Sequence, residues 1–230
     1  MPELMRYALI DTKMPREFVL LQGKGCVWKR CTFCDYHNDV SGDPFAVNAE
    51  VLAQVTGEMG VLDVINSGSC PELDDQTIAK IGDIVREKQI HTLWFEAHYL
   101  YREKLQGFAA RFPGTEVKFR TGVETFDPIL RESWRKGIAK EVTLEEIKRW
   151  FSGVCLLFGI EGQRFETVQR DIELALEHFE YFSLNAFVEN TTGLRRDDEL
   201  IARVARECLP KLRDLPGVEV LLENTDLGVG

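Results

Sequence analysis

The chain has 230 residues, 44% hydrophobic and 29% charged, a size and mixture that suit a single globular domain with a real core. Its formal net charge of −10 points away from a polyanionic partner such as RNA and toward a small molecule. Met1-Pro2-Glu3-Leu4-Met5-Arg6 lacks the long apolar core of a signal peptide, and no run approaches the roughly 20 apolar residues of a membrane helix. A cytoplasmic protein away from membranes is therefore expected.

In chain order, the first sixteen residues read as an irregular lead-in. Glu17-Phe18-Val19-Leu20-Leu21 is the first predicted strand, ending in a loop marked by Gly23 and Gly25. A connector rich in Asn, Asp, Gly and Pro runs to Pro44, and a helix is expected over about 48–55. Strands are predicted over 61–66, 91–96, 117–123, 154–158, 181–187 and 218–222. Between them, Asp74 caps a helix with Ile78, Ile81, Ile84 and Val85 at helical spacing, and another helix reaches about Phe112. Asp127-Pro128 opens a further helix, and 141–150 holds an extra helical turn. Helices over about 165–177 and 197–211 complete the pattern. Strands alternating with helices mean βαβ units and a parallel sheet. With fewer strands than a full eight-fold barrel, the expected fold is α/β, a partial (βα)6 TIM-like barrel spanning residues 1–230 as one domain. Active groups in such folds gather where strands end.

Cys26, Cys31 and Cys34 stand in a C-x4-C-x2-C spacing on the loop after the first strand. Thiolates on one loop can hold a metal ion or an iron–sulfur cluster; three leave one iron of a cubane open, whereas structural zinc wants a fourth Cys or His. Cys70, Cys155 and Cys208 are scattered singly and read as small buried hydrophobes. Arg195, Arg196, Arg203 and Arg206 are the candidate basic patch, and they read as a solvated face.

Further chemistry-bearing turns follow later strands. Ser67-Gly68-Ser69-Cys70-Pro71 is a small-residue turn that lets backbone approach a ligand. Gly122-Val123-Glu124-Thr125 leads to Arg131 and Arg135-Lys136-Gly137. Phe158-Gly159-Ile160-Glu161-Gly162-Gln163 precedes Glu166-Thr167. Around the same rim stand Glu96, His98, Asn185, Glu189 and Asn224, with Arg120 just inside its strand. Acid and amide groups of this kind suit a cationic or hydrogen-bond-rich ligand such as an amine or a nucleobase.

Together these segments resemble the radical S-adenosylmethionine (SAM) superfamily. Cys26–Cys34, with Phe33 before the last cysteine, is similar to its cluster loop, one residue longer in the first gap than usual. Gly68 and Pro71 match its Gly-Gly-Glu-Pro turn, with Ser69 and Cys70 in place of Gly and Glu. The segments at Glu124 and Ile160 resemble the branch that includes the Elongator catalytic subunit and methylthiotransferases. The likeness runs from Phe18 to about Asp197.

That resemblance implies a [4Fe-4S] cluster ligated by Cys26, Cys31 and Cys34. It also implies SAM held near Phe33, Gly68, Ser69, Glu124 and Ile160, with Ile160 packing on the adenine. A reduced electron donor such as flavodoxin or ferredoxin would start the chemistry. The chain shows no second cysteine cluster, and its compact size suits an enzyme acting on a small molecule, a 7-deazapurine being the specific expectation. Glu96, His98, Arg120, Asn185, Glu189 and Asn224 are then the substrate candidates. Two alternatives stay open at this level: a radical SAM enzyme that modifies tRNA, and a non-catalytic zinc module using Cys70 or His37 as the fourth ligand.

Overall fold

The computed structural model describes residues 4–229; the remaining lead-in residues 1–3 and the last residue lie outside them. The predicted alternation is present in full. The elements are β1 (Tyr7–Ile10), β2 (Arg16–Leu21), α1 (Pro44–Leu52), β3 (Val61–Asn66), α2 (Asp75–Glu87), β4 (Thr92–Glu96), α3 (Leu105–Ala109), β5 (Glu116–Glu124), α4 (Pro128–Ser133), α5 (Leu144–Lys148), β6 (Gly153–Phe158), α6 (Phe165–His178), β7 (Tyr181–Ala186), α7 (Asp198–Glu207), α8 (Leu209–Leu212) and β8 (Val218–Leu221).

Three boundaries differ from the sequence reading, each for a physical reason. The lead-in contains β1, which pairs antiparallel with β2 from Tyr7↔Val19 to Ile10↔Arg16. A four-residue edge strand is too short to show a convincing period. Helix α1 starts at Pro44, because Asp43 accepts the Ala46 N–H (3.1 Å) and Pro44 supplies a ready-made first-turn φ. The last long helix is split at Cys208, since Pro210 has no N–H to continue the ladder.

The chain forms two compact units. The first comprises Met1–Lys29, Tyr36–Phe119 and Leu227–Gly230. In it β2, β3 and β4 pair in parallel, in the registers Leu21↔Asn66 and Val64↔Phe95. Leu62, Val64, Leu93 and Phe95 are fully buried, as are the α2 residues Ile78, Ile81, Ile84 and Val85. Each such side chain contributes about 1.5–3 kcal/mol of burial. Phe108 of α3 meets Phe95 edge-on at 5.1 Å and so ties α3 to β4.

The second unit comprises Arg30–Asp35 and Arg120–Asp226. Here the end of β5 pairs with β6, β6 with β7 and β7 with β8, all in parallel. The β5–β6 register shifts between Gly122 and Glu124, so β5 carries an irregularity just where the sequence places a functional acid. No helix among the described residues is long and apolar enough to cross a membrane.

Candidate active site

In the first unit, Cys26 lies on the loop after β2, half-buried and free. The loop is fastened to the turn after β3 by Glu72. This carboxylate accepts three hydrogen bonds, from Val27 N–H (3.1 Å), Ser69 N–H (3.0 Å) and the Tyr101 hydroxyl (2.8 Å). Gly68 has to be glycine for this. A Cβ there would run into the Glu72 carboxylate and lie 3.2 Å from Cys26 Cα. Ser69 Oγ accepts the His98 N–H (3.0 Å), and the His98 ring stacks on Trp28 at 5.5 Å. Both residues after Cys26 are thereby tied to a strand end, one after β3 and one after β4. Burial, then the Glu72 bond, pushes the Tyr101 phenol above its ordinary range.

Position 70 holds Cys where the motif has Glu. Cys70 is fully buried, and that burial raises its thiol well above the usual range, as befits a packed hydrophobe. The acid at this turn is Glu72, two residues further on. Sequence reading missed it; the only signal was an acid just past Pro71. Glu96 ends β4, half-buried.

In the second unit, Cys31 and Cys34 are half-buried and form no disulfide. Their segment is clamped from two sides. Thr32 N–H donates to the Trp134 carbonyl (3.0 Å) at the end of α4. From the loop after β7, the Asn190 amide donates to the Phe33 carbonyl (2.8 Å), and Thr191 donates from its hydroxyl (2.8 Å) and N–H (3.1 Å) to Asp35. Phe33 packs edge-on against Trp134 at 5.9 Å, in an apolar cluster with Ile160 and Phe187 that also touches Cys31 and Cys34.

Glu124 closes β5 with φ +64, a left-handed backbone uncommon outside glycine. Its carboxylate meets Lys136 Nζ at 2.8 Å, both side chains about nine-tenths buried. A Cβ on Gly122 would collide with Glu124 and approach Lys136 Nζ to 2.8 Å. Burial alone would lower the Lys136 ammonium; the Glu124 carboxylate, with Cys31 and Cys34, outweighs it and holds Lys136 above the usual lysine range. The Glu124 carboxylate is thus not a helix cap but half of a buried ion pair beside two cysteines.

Other candidates fall elsewhere. Arg120 is four residues before Glu124, roughly 13 Å along an extended strand. It pairs with Gly153, the first residue of β6, and its guanidinium lies 5.5 Å from the Tyr181 ring. It is buried in the middle of β5, inside its strand as the sequence placed it. Glu189 is exposed and engaged with its own loop, accepting the Arg196 N–H (3.1 Å) and facing Arg195 (3.5 Å). Asn224 is exposed in the turn after β8. Asn185 lies near the end of β7, half-buried, its amide donating to Ser183 Oγ (3.1 Å). The candidate basic patch is dispersed into ion pairs, Arg196 with Asp198 (3.0 Å) and both Arg203 and Arg206 with Glu207 (3.2 Å).

Among the described residues, no three His, Cys, Asp or Glu side chains gather as they would around a single metal ion. Cys70, one of the two candidate fourth ligands for zinc, is fully buried.

No family model matches the chain, and no curated protein matches it. Solved structures do. One is queuine lyase from Clostridium spiroforme bound to SAM and queuine, 40% identical, covering 99% of this chain and 100% of that one, with a TM-score of 0.94. Another is Streptococcus suis SuiB bound to S-adenosylmethionine, 14% identical over 91% of this chain and 47% of that one, with a TM-score of 0.54, a likeness of fold. The fold is the partial (βα)6 TIM-like barrel, and with the cysteine loop at its strand ends it defines a radical SAM enzyme. Identity at 40% over the full length is narrower than that class: the chain belongs to the queuine lyase family.

Proposed function

We propose that this chain cleaves queuine, releasing its 7-deazaguanine precursor, and that it works as one core domain over residues 1–230 in the cytoplasm. The observation that carries the reading is 40% identity over the full length to a queuine lyase, beside this chain's own three clustered thiols. Cys26, Cys31 and Cys34 would hold a [4Fe-4S] cluster, fed by a one-electron donor of the flavodoxin or ferredoxin kind. With SAM bound, that cluster supplies a 5'-deoxyadenosyl radical able to abstract hydrogen from the substrate.

This chain's own residues position and shield. Phe33, Trp134, Ile160 and Phe187 form an apolar wall that excludes water beside Cys31 and Cys34. Ile160 packs on the adenine, and Glu124, paired with Lys136, accepts the ribose hydroxyl protons. The Gly68-Ser69 turn offers close backbone to the amino-acid end of SAM. Glu96, His98 and Asn185 would offer an acid, a ring and an amide to a nucleobase-like ligand.

The test is anaerobic. After reconstitution with iron and sulfide, the protein with SAM and dithionite is expected to release 5'-deoxyadenosine and to consume queuine, both followed by mass spectrometry. Serine at Cys26, Cys31 or Cys34 abolishes both. Release of 5'-deoxyadenosine with queuine untouched would overturn the substrate; bound zinc without iron would overturn the chemistry.

A further inference from the structure

The turn that follows Glu124 is anchored on α6. Asp171, in the middle of that helix, is 3% exposed. Its Oδ1 accepts the Phe126 N–H (2.7 Å), and its carboxylate also takes the Thr125 hydroxyl. Thr125 is fully buried and its oxygen accepts the Asp127 N–H (3.1 Å), so its own proton goes to Asp171. Asp127 in turn caps α4 through the N–H groups of Ile129 (2.9 Å) and Leu130 (3.1 Å). The Phe126 ring stacks on Phe179, just past the end of α6, at 5.9 Å. The residues after the left-handed Glu124 are thus fixed in place, and one carboxylate makes two of the bonds. The charged groups acting on Asp171 are Asp127 and Arg131, of opposite sign, while Glu124 and Lys136 are paired with each other.

A buried carboxylate is an unfavourable way to fasten a turn, because burial opposes its charge and an amide would fill the same space without one. What an amide lacks is the second acceptor. Its oxygen can take the Phe126 N–H, but its NH2 meets the Thr125 hydroxyl as a donor and displaces the hydroxyl proton. We propose that Asp171 is the positioning residue for Glu124: its two bonds fix Thr125 and Phe126, and through them the backbone that aims the Glu124 carboxylate at the SAM ribose. The inference rests on the ribose-binding role of Glu124 in the proposed function and extends it to a residue of another element. Asp171 takes up a proton at about pH 6. Its neutral form has one acceptor fewer for the turn, so the hold on Thr125 slackens below that pH and SAM binding weakens with it.

The first readout needs no cofactor. In an NMR titration of the cluster-free full chain, the backbone signals of Glu124 and Phe126 are expected to move with a midpoint near pH 6 and to stay still in Asp171→Asn. The second readout is equilibrium binding of SAM to the anaerobically reconstituted protein. At neutral pH Asp171→Asn is expected to bind SAM about fivefold or more weakly, with no loss of resistance to urea. A residue needed only for folding would not weaken SAM binding in a variant that stays as stable. The ratio of the two dissociation constants, which cancels the titration of SAM itself, closes toward one as the pH drops through 6. Thr125→Val, which keeps the shape and removes the hydroxyl, weakens SAM binding in the same direction. Glu124 signals that ignore pH in the wild type would overturn the proposal. So would equal SAM binding by wild type and Asp171→Asn where Glu124→Gln is weakened. If Glu124→Gln binds SAM as the wild type does, the ribose role falls with the proposed function, and the NMR titration decides the anchoring by itself.

Discussion

Glu124 occupies a strained backbone at φ +64 and a nearly dry pocket, two costs that its ion pair with Lys136 offsets. Lys136→Met leaves the carboxylate buried and alone, and a loss of about 3–5 kcal/mol in urea unfolding is expected. Glu124→Gln/Lys136→Met costs less than the two single changes added together, because neither partner is then stranded. Asp171 behaves differently. Burial raises its carboxyl from 3.8 to about 6, although Thr125 and the Phe126 N–H (2.7 Å) pull it down. Its folded pKa thus exceeds the unfolded one. The native state keeps the proton where the unfolded chain has lost it, so stability falls as pH rises from about 4 to about 6, by an amount on the order of 3 kcal/mol. Asp171→Asn, which still accepts from Phe126, removes that slope; unfolding curves across the window would check it. At this scale the thiols were legible, since their chemistry follows from type and spacing. Glu72 was not, because what a turn carboxylate binds depends on loops distant in sequence, here Val27 and Tyr101.

The turns and loops between elements do the fastening. Glu72, in the turn before α2, holds Val27 N–H; Glu72→Ala is expected to speed hydrogen exchange at Val27 in the cluster-free protein, while Tyr101→Phe leaves that amide protected. The loop after β7 fastens the other cysteines. Asn190→Ala frees the Phe33 carbonyl and should cost about 1–3 kcal/mol while raising the alkylation rate of Cys34. Unchanged alkylation would show that the Trp134 and Thr191 contacts suffice. Strands and long helices were readable from their periods, and α2 and α4 from Asp74 and Asp127-Pro128. β1 escaped because four residues carry too little pattern, and the break at Cys208 because Pro210 competes with an otherwise continuous helical period.

For the whole molecule, alternating strands and helices pointed to a parallel α/β fold, and the eight strands are the predicted seven plus β1. The acidic total, with Arg196, Arg203 and Arg206 paired to neighbouring carboxylates, predicts no retardation of tRNA at low salt in a mobility-shift assay. A clear shift would reopen the nucleic-acid reading.

Phe18 and Ile10 are buried against Val229, with Leu227 beside them. A growing chain therefore exposes the apolar ends of β1 and β2 until residues 227–229 have been made. The first unit is discontinuous in sequence, and its cover arrives after the whole second unit has been synthesised. A ribosome stalled before codon 227 would hold a chain with its cysteine loop made and its first two strands uncovered.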